Sequence, residues 1–249
     1  MRFSVEFSNR GILLTSYGTE QVGISAEVAI ADLTGVTIAD HYRRRGRPEL
    51  VQHMTPALAT IVSRIPKPTS HIAEDQNPID FLLEGEKTLS VKSNMRDAGK
   101  IAPQNIGQPT ASTFWQLLPH LVPEGSDPKR LSYADSAKLF KQVALTNTVT
   151  LLTEYWKNLF DCDYLIYIYN VLTESNQLSS SPSVRLFEKS NSPQWEKTRI
   201  SFTQSLATWN ESCTVKYNGI SIGEFQVHNN RNCFKFRFNI SGLIQARLL

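Results

Sequence analysis

Between residues 78 and 92 the chain alternates with a period of two on both sides of a glycine, and few folds accommodate that. Ile79, Phe81 and Leu83 alternate with Asp80, Leu82 and Glu84; past the glycine, Leu89 and Val91 alternate with Ser90 and Lys92. Such alternation belongs to strands with two unlike faces. Gly85 supplies the positive φ that a tight hairpin turn needs. A three-residue loop of Gly85, Glu86 and Lys87 sets Asp80 opposite Lys92 and Leu82 opposite Ser90. A slip of one residue sets Asp80 against Val91 instead and separates the polar groups.

An aspartate and a lysine brought together on a hairpin have a definite chemistry. Mg²⁺ takes oxygen ligands and keeps several waters, so one or two carboxylates with a substrate phosphate suffice. The ion acidifies a water and stabilises charge on phosphoryl oxygens. A neighbouring lysine orients that water, accepts its proton, or steadies the transition state.

Pro78-Ile79-Asp80 followed by Ser90-Val91-Lys92 resembles the signature of the PD-(D/E)XK nucleases, best known from type II restriction endonucleases. The segment from Gly99 to Thr110, GKIAPQNIGQPT, is also similar to a stretch found in some of those enzymes. The resemblance implies a mixed central β-sheet flanked by helices and Mg²⁺-dependent hydrolysis of double-stranded DNA. It also implies a homodimer acting on a palindromic site and 5′-phosphate products. It assigns catalysis to Asp80, Ser90 and Lys92, and metal contacts to Asp80 and the Val91 carbonyl. One departure stands out: the family has Glu or Asp where this chain has Ser90, with Gln or Asn in some members. Family members also draw a second carboxylate from a preceding helix. Glu49 is the first candidate for that role and Glu27 the second. Either residue reads equally as a solvated helix glutamate. An inert DNA-binding protein and a repair nuclease of the same fold remain alternatives.

The remainder of the chain fits one domain over residues 1–249, divisible into a core of 1–172 and a β-rich recognition part of 184–249. A chain of 249 residues with 41 % hydrophobic content buries a sizeable core. A net charge of +3 neither requires nor excludes nucleic acid. Its distribution says more: from Val184 onward nine basic residues face four acidic ones, a surplus of +5 that leaves the rest of the chain at −2. No apolar run approaches membrane-spanning length. Cys162, Cys213 and Cys233 have no zinc spacing, which suits reduced thiols and a cytoplasmic setting. His41, His53, His71 and His120 form no HxH, HExxH or HNH pattern and read as structural. There is no P-loop, dinucleotide fingerprint or GxSxG sequence.

Local patterns place the other elements. Phe3, Val5 and Phe7 suggest an extended start. Residues 20–36 have helical periodicity with Ile24, Val28, Ala29 and Leu33 on one side, ending at Gly35. Arg43, Arg44, Arg45 and Arg47 precede the next helix; they grip DNA phosphates or form a solvated basic turn. Pro48 opens that helix, and Pro56 predicts a kink or break within it. A short strand is expected at 70–74. Lys100, Gln104, Asn105 and Gln108 suit phosphate and base-edge contacts, or simple turn chemistry. Thr110 or Ser112 caps a short helix, and Ser132 begins a long one running to about Phe160. Residues 163–172 read as a buried central strand, and Asn218-Gly219 as a hairpin turn. Beyond it Phe234, Phe236 and Phe238 alternate with Lys235 and Arg237. The connecting stretch Gln226, His228, Asn229, Asn230 and Arg231 is dense in base-reading side chains, or is a polar surface turn.

Overall fold

The computed structural model describes residues 17–74, 77–228 and 231–249. Phe3, Val5, Phe7, Asn229 and Asn230 lie outside the described residues. The chain begins with three helices: α1 (Thr19–Thr34), α2 (Asp40–Arg43) and α3 (Pro48–Val62). Gly35 ends α1 in the left-handed conformation, φ 75°, which glycine adopts without a side-chain clash. Nearly every residue of α1 from Val22 to Ala31 is buried, while Leu33 is exposed. Pro56 neither ends nor divides α3. It sits on the exposed side, as does Gln52, so the carbonyl that loses its partner still reaches water.

Strands β1 (Pro68–His71), β2 (Phe81–Leu83) and β3 (Lys87–Ser93) follow, then β4 (Lys100–Ile101). Helix α4 (Ala111–Leu117) is capped by Thr110, whose hydroxyl accepts from the Thr113 N–H. The expected helix from Ser132 to Phe160 is two helices, α5 (Tyr133–Thr146) and α6 (Thr148–Leu159). Ser132 does cap the first, accepting from the Asp135 N–H. The break at Asn147 has a local cause. Three consecutive residues, Thr146-Asn147-Thr148, offer the backbone side-chain partners, and both threonine hydroxyls bond carbonyls of the preceding turn.

The remaining strands are β5 (Tyr164–Tyr169), β6 (Ser183–Glu188), β7 (Ile200–Phe202), β8 (Ser212–Tyr217), β9 (Ile220–Val227) and β10 (Phe234–Asn239), before the closing α7 (Ile240–Gln245). They form two five-stranded sheets, in the orders β1-β2-β3-β5-β6 and β4-β10-β9-β8-β7. The first is mixed, because β3 and β5 run parallel; the second is antiparallel throughout. The mixed α/β architecture with a β-rich C-terminal part is the one the sequence predicts. Sheet membership departs from chain order: β6, running from Ser183 to Glu188, completes the first sheet, and β4, far earlier in the chain, joins the second.

Each sheet has its own core. Phe81, Leu83, Leu89, Val91, Ile166 and Ile168 pack beneath α1 and α3. Leu165 and Tyr167, one residue out of phase on β5, face the opposite way into a core shared by α4, α5, α6 and the second sheet. That parity is the strand period of two acting on a sheet covered on both faces. Phe234, Phe236 and Phe238 are buried on one side of β10, with Phe236 stacked 4.3 Å from Tyr155 and Phe234 4.3 Å from Phe140. Burying each such ring contributes about 2–3 kcal/mol.

Candidate active site

The β2–β3 hairpin forms with a three-residue loop, but one residue earlier than expected. The loop is Glu84, Gly85 and Glu86, with Gly85 at φ 72° and Glu86 at φ 58°. Phe81 therefore pairs with Leu89, Leu82 with Thr88 and Leu83 with Lys87, a register two residues from the one anticipated. A slip of two leaves every paired side chain on its expected face, so the site survives the correction. Its contacts change: Asp80 meets Ser90 and Val91 rather than standing opposite Lys92.

Asp80 lies just ahead of β2 and is held from both sides. Its N–H donates to the Leu89 carbonyl at 3.0 Å, and its carbonyl accepts from the Ile72 N–H at 2.9 Å. Its Oδ2 accepts from the Val91 N–H at 2.5 Å and lies 3.1 Å from the Ser90 hydroxyl. The single Ser90 proton serves either Asp80 or the Pro78 carbonyl at 3.2 Å. Gln104 donates to the same hydroxyl at 2.9 Å. Ser90 thus occupies its position as a fully buried link between Asp80 and the segment after β4.

A second carboxylate is present, and it is Glu27 of α1. Glu27 is 6 % exposed and Asp80 8 %. Burial first, and then the Glu27 charge, push the Asp80 carboxyl up to about 6 against the opposing pull of Lys92, the Val91 N–H and Ser90. Glu27 Oε2 accepts from the Tyr42 hydroxyl at 2.7 Å and from His71 Nε2 at 2.8 Å. Burial, then Glu27 and then Asp80 raise the Tyr42 hydroxyl above its ordinary range. His71 is therefore engaged with a carboxylate beside Asp80, which the search for histidine motifs did not reveal. Glu49 stands half-buried in the first turn of α3 and is not among the charges acting on Asp80. Of the two candidates, Glu27 is the one whose charge acts on Asp80. The clue lay in α1: Glu27 is the lone charge in the run Gly-Ile-Ser-Ala-Glu-Val-Ala-Ile-Ala. Carboxylates are rarely buried in such company without partners.

Beside Lys92 opens a cleft of about 730 Å³ between the two sheets. Lys100, Gln104, Asn105 and Gln108 line it as the sequence grouped them, and Lys235 and Arg237 of β10 supply the far wall. Glu224 of β9 lies behind that wall. One of its oxygens receives Lys100 at 2.9 Å, Arg237 at 3.0 Å and the Gln226 amide at 2.9 Å. Gln226 is thus a strand residue tied to Glu224. His228 presents its carbonyl to the Tyr133 hydroxyl at 2.7 Å, and Arg231 is exposed. The arginine run is divided: Arg43 pairs with Asp32 at 2.7 Å and Arg45 with Glu20 at 2.6 Å, both carboxylates on α1. Arg44 is exposed and has no such partner among the described residues. All three cysteines are free and buried. Among the described residues, no helix is long and apolar enough to cross a membrane. Nor do three or more His, Cys, Asp or Glu side chains there gather into a self-sufficient metal cluster.

No family model matches the chain, and no solved structure does. The sequence is 30 % identical over 238 residues to the type II restriction enzyme CviAII of Paramecium bursaria Chlorella virus 1. The match covers 95 % of this chain and 61 % of that protein, so the chain spans about three-fifths of its relative's length. This likeness supports the type II restriction-endonuclease resemblance carried by residues 78–92.

Proposed function

We propose that the protein is a type II restriction endonuclease that hydrolyses duplex DNA with Mg²⁺ and leaves 5′-phosphate ends. The observation that carries this reading is the pair of buried carboxylates, Glu27 and Asp80, acting on one another beside Lys92 at a basic cleft. The donor set fits the ion. Glu27 and Asp80 offer hard carboxylate oxygens. A strand residue sends its N–H and C=O toward the same edge, so the Val91 carbonyl leaves β3 on the side where its N–H meets Asp80. Two carboxylates and one carbonyl leave room for water and phosphate, as Mg²⁺ requires. When bound, Mg²⁺ supplies Lewis-acid charge and an acidified water.

The chain's own groups do the rest. Lys92 orients the attacking water or balances charge on the phosphate. Ser90, in the family's acidic position, holds the Asp80 carboxylate with Gln104 behind it. Lys100, Asn105, Gln108 and Lys235 line the cleft and contact DNA there; Arg44, His228, Asn229, Asn230 and Arg231 are further candidates for DNA contacts. Arg43 and Arg45 brace helices. A homodimer matches a palindromic site.

The test is incubation with bacteriophage DNA, with Mg²⁺ or with a chelator, beside Asp80→Ala. Discrete Mg²⁺-dependent fragments absent in the variant are expected. Intact DNA under every condition, with duplex binding retained, would instead establish the inert binder that Ser90 suggests.

A further inference from the structure

We infer that Tyr42 and His71 are positioning residues that clamp Glu27 by one oxygen and leave the other free to face the cation. The inference rests on the nuclease reading above. Both donors converge on Oε2, and Oε1 has no partner among the described residues. The His71 ring nitrogen facing Glu27 is Nε2, so a proton on that nitrogen completes the clamp.

The clamp also relates Glu27 to Asp80. His71 reaches Glu27 through its ring, while the next residue, Ile72, donates its N–H to the Asp80 carbonyl. One dipeptide at the end of β1 thus holds the Glu27 carboxylate and the Asp80 backbone. The His71 ring is wedged edge-on between Tyr42, 4.7 Å away, and Phe81, 5.0 Å away, the residue that follows Asp80. Tyr42 is held in turn. Arg45 lies 5.2 Å over its ring while paired to Glu20, Arg43 pairs with Asp32, and the Arg47 N–H donates to Ser25. Three of the four arginines thereby fasten α2 and its tyrosine onto α1. Fixing a ligand's orientation through its other hydrogen bonds typically changes metal affinity by about 10- to 100-fold.

The experiment is Mn²⁺ titration of the intact protein, with free ion read by electron paramagnetic resonance and folding by circular dichroism. Mn²⁺ shares the oxygen preference of Mg²⁺. Tyr42→Phe and His71→Leu should each weaken Mn²⁺ binding about 10- to 100-fold, and Glu27→Gln should weaken it at least as much. His71→Gln, whose amide nitrogen can donate from near the Nε2 position, should restore most of the affinity. Should His71→Leu fail to fold, Tyr42→Phe, which removes one oxygen, decides alone. Folded Tyr42→Phe and His71→Leu with wild-type affinity overturn the clamp and leave the nuclease reading intact. A wild-type protein that binds no Mn²⁺ and cuts no DNA overturns both.

Discussion

Two sets of buried carboxylates, Asp80 with Glu27 and Glu224 alone, stand next to residues that line the cleft, and the fold treats them differently. Glu224 meets Lys100, Arg237 and Gln226 on a single oxygen, so the chain itself offsets its charge. Asp80 faces another carboxylate, Glu27, with Lys92 as its opposing charge. A buried anion with its own cations is a structural fastening. Two buried anions sharing too little positive charge hold the protein in an uncomfortable state that an added cation relieves. On the proposed nuclease reading, the asymmetry makes the Asp80 side the chemical one and the Glu224 side the scaffold for the wall that would face DNA.

The largest expected effect breaks the pair on the chemical side. Glu27→Gln should lower Mg²⁺-dependent cleavage by about 10³-fold or more while leaving the melting temperature unchanged or higher, measured on phage DNA and by thermal denaturation. Loss of stability with cleavage intact would make Glu27 a fastening like Glu224. On the scaffold side the sign is reversed. Glu224→Ala leaves Lys100 and Arg237 without their anion, and should cost about 2–3 kcal/mol in urea unfolding after allowing for their partial exposure to water.

The pH dependence sharpens the contrast further. The folded-state pKa of Asp80 is raised, so its ionisation opposes folding above about 6, and the penalty disappears as pH falls toward the ordinary carboxylate range. Asp80→Asn should therefore be more stable than the wild type by about 2 kcal/mol at pH 7.5 without metal. That advantage should close by about pH 4; a gap constant with pH would show that Asp80 is not strained by its surroundings. The smallest effects concern the two hairpins. Gly85→Ala and Gly219→Ala, at φ 72° and 79°, should each cost about 1 kcal/mol, and only the former should also reduce cleavage.

Those hairpins show why some of the site was legible and some was not. Asn218 and Gly219, at φ 50° and 79°, form a two-residue turn that pins Tyr217 to Ile220, as the sequence predicts. Residues 84–87, Glu-Gly-Glu-Lys, allow a three-residue loop in more than one frame, and the displaced frame keeps every paired side chain on the same face. Alternation therefore reveals faces but leaves a two-residue ambiguity in register. Capping is equally local: Ser132 and Gly35 could be recognised, whereas competition for carbonyls around Asn147 was hidden within a continuous apolar stripe.

By itself the sequence determined the hairpin faces that carry Asp80, Ser90 and Lys92, the buried strand β5, and the aromatic stripe of β10 with its basic reverse. All of these depend on residues within one or two turns or strand repeats of each other. Only the tertiary structure decided which carboxylate joins Asp80. Glu27 and Glu49 both lie on helices preceding the hairpin, and helical periodicity cannot rank them. The choice depends on how α1 lies over the first sheet and on Tyr42 and His71 arriving from two other elements to hold Glu27. Those contacts span 15 and 44 residues of sequence, distances over which side-chain patterning carries no information and packing does.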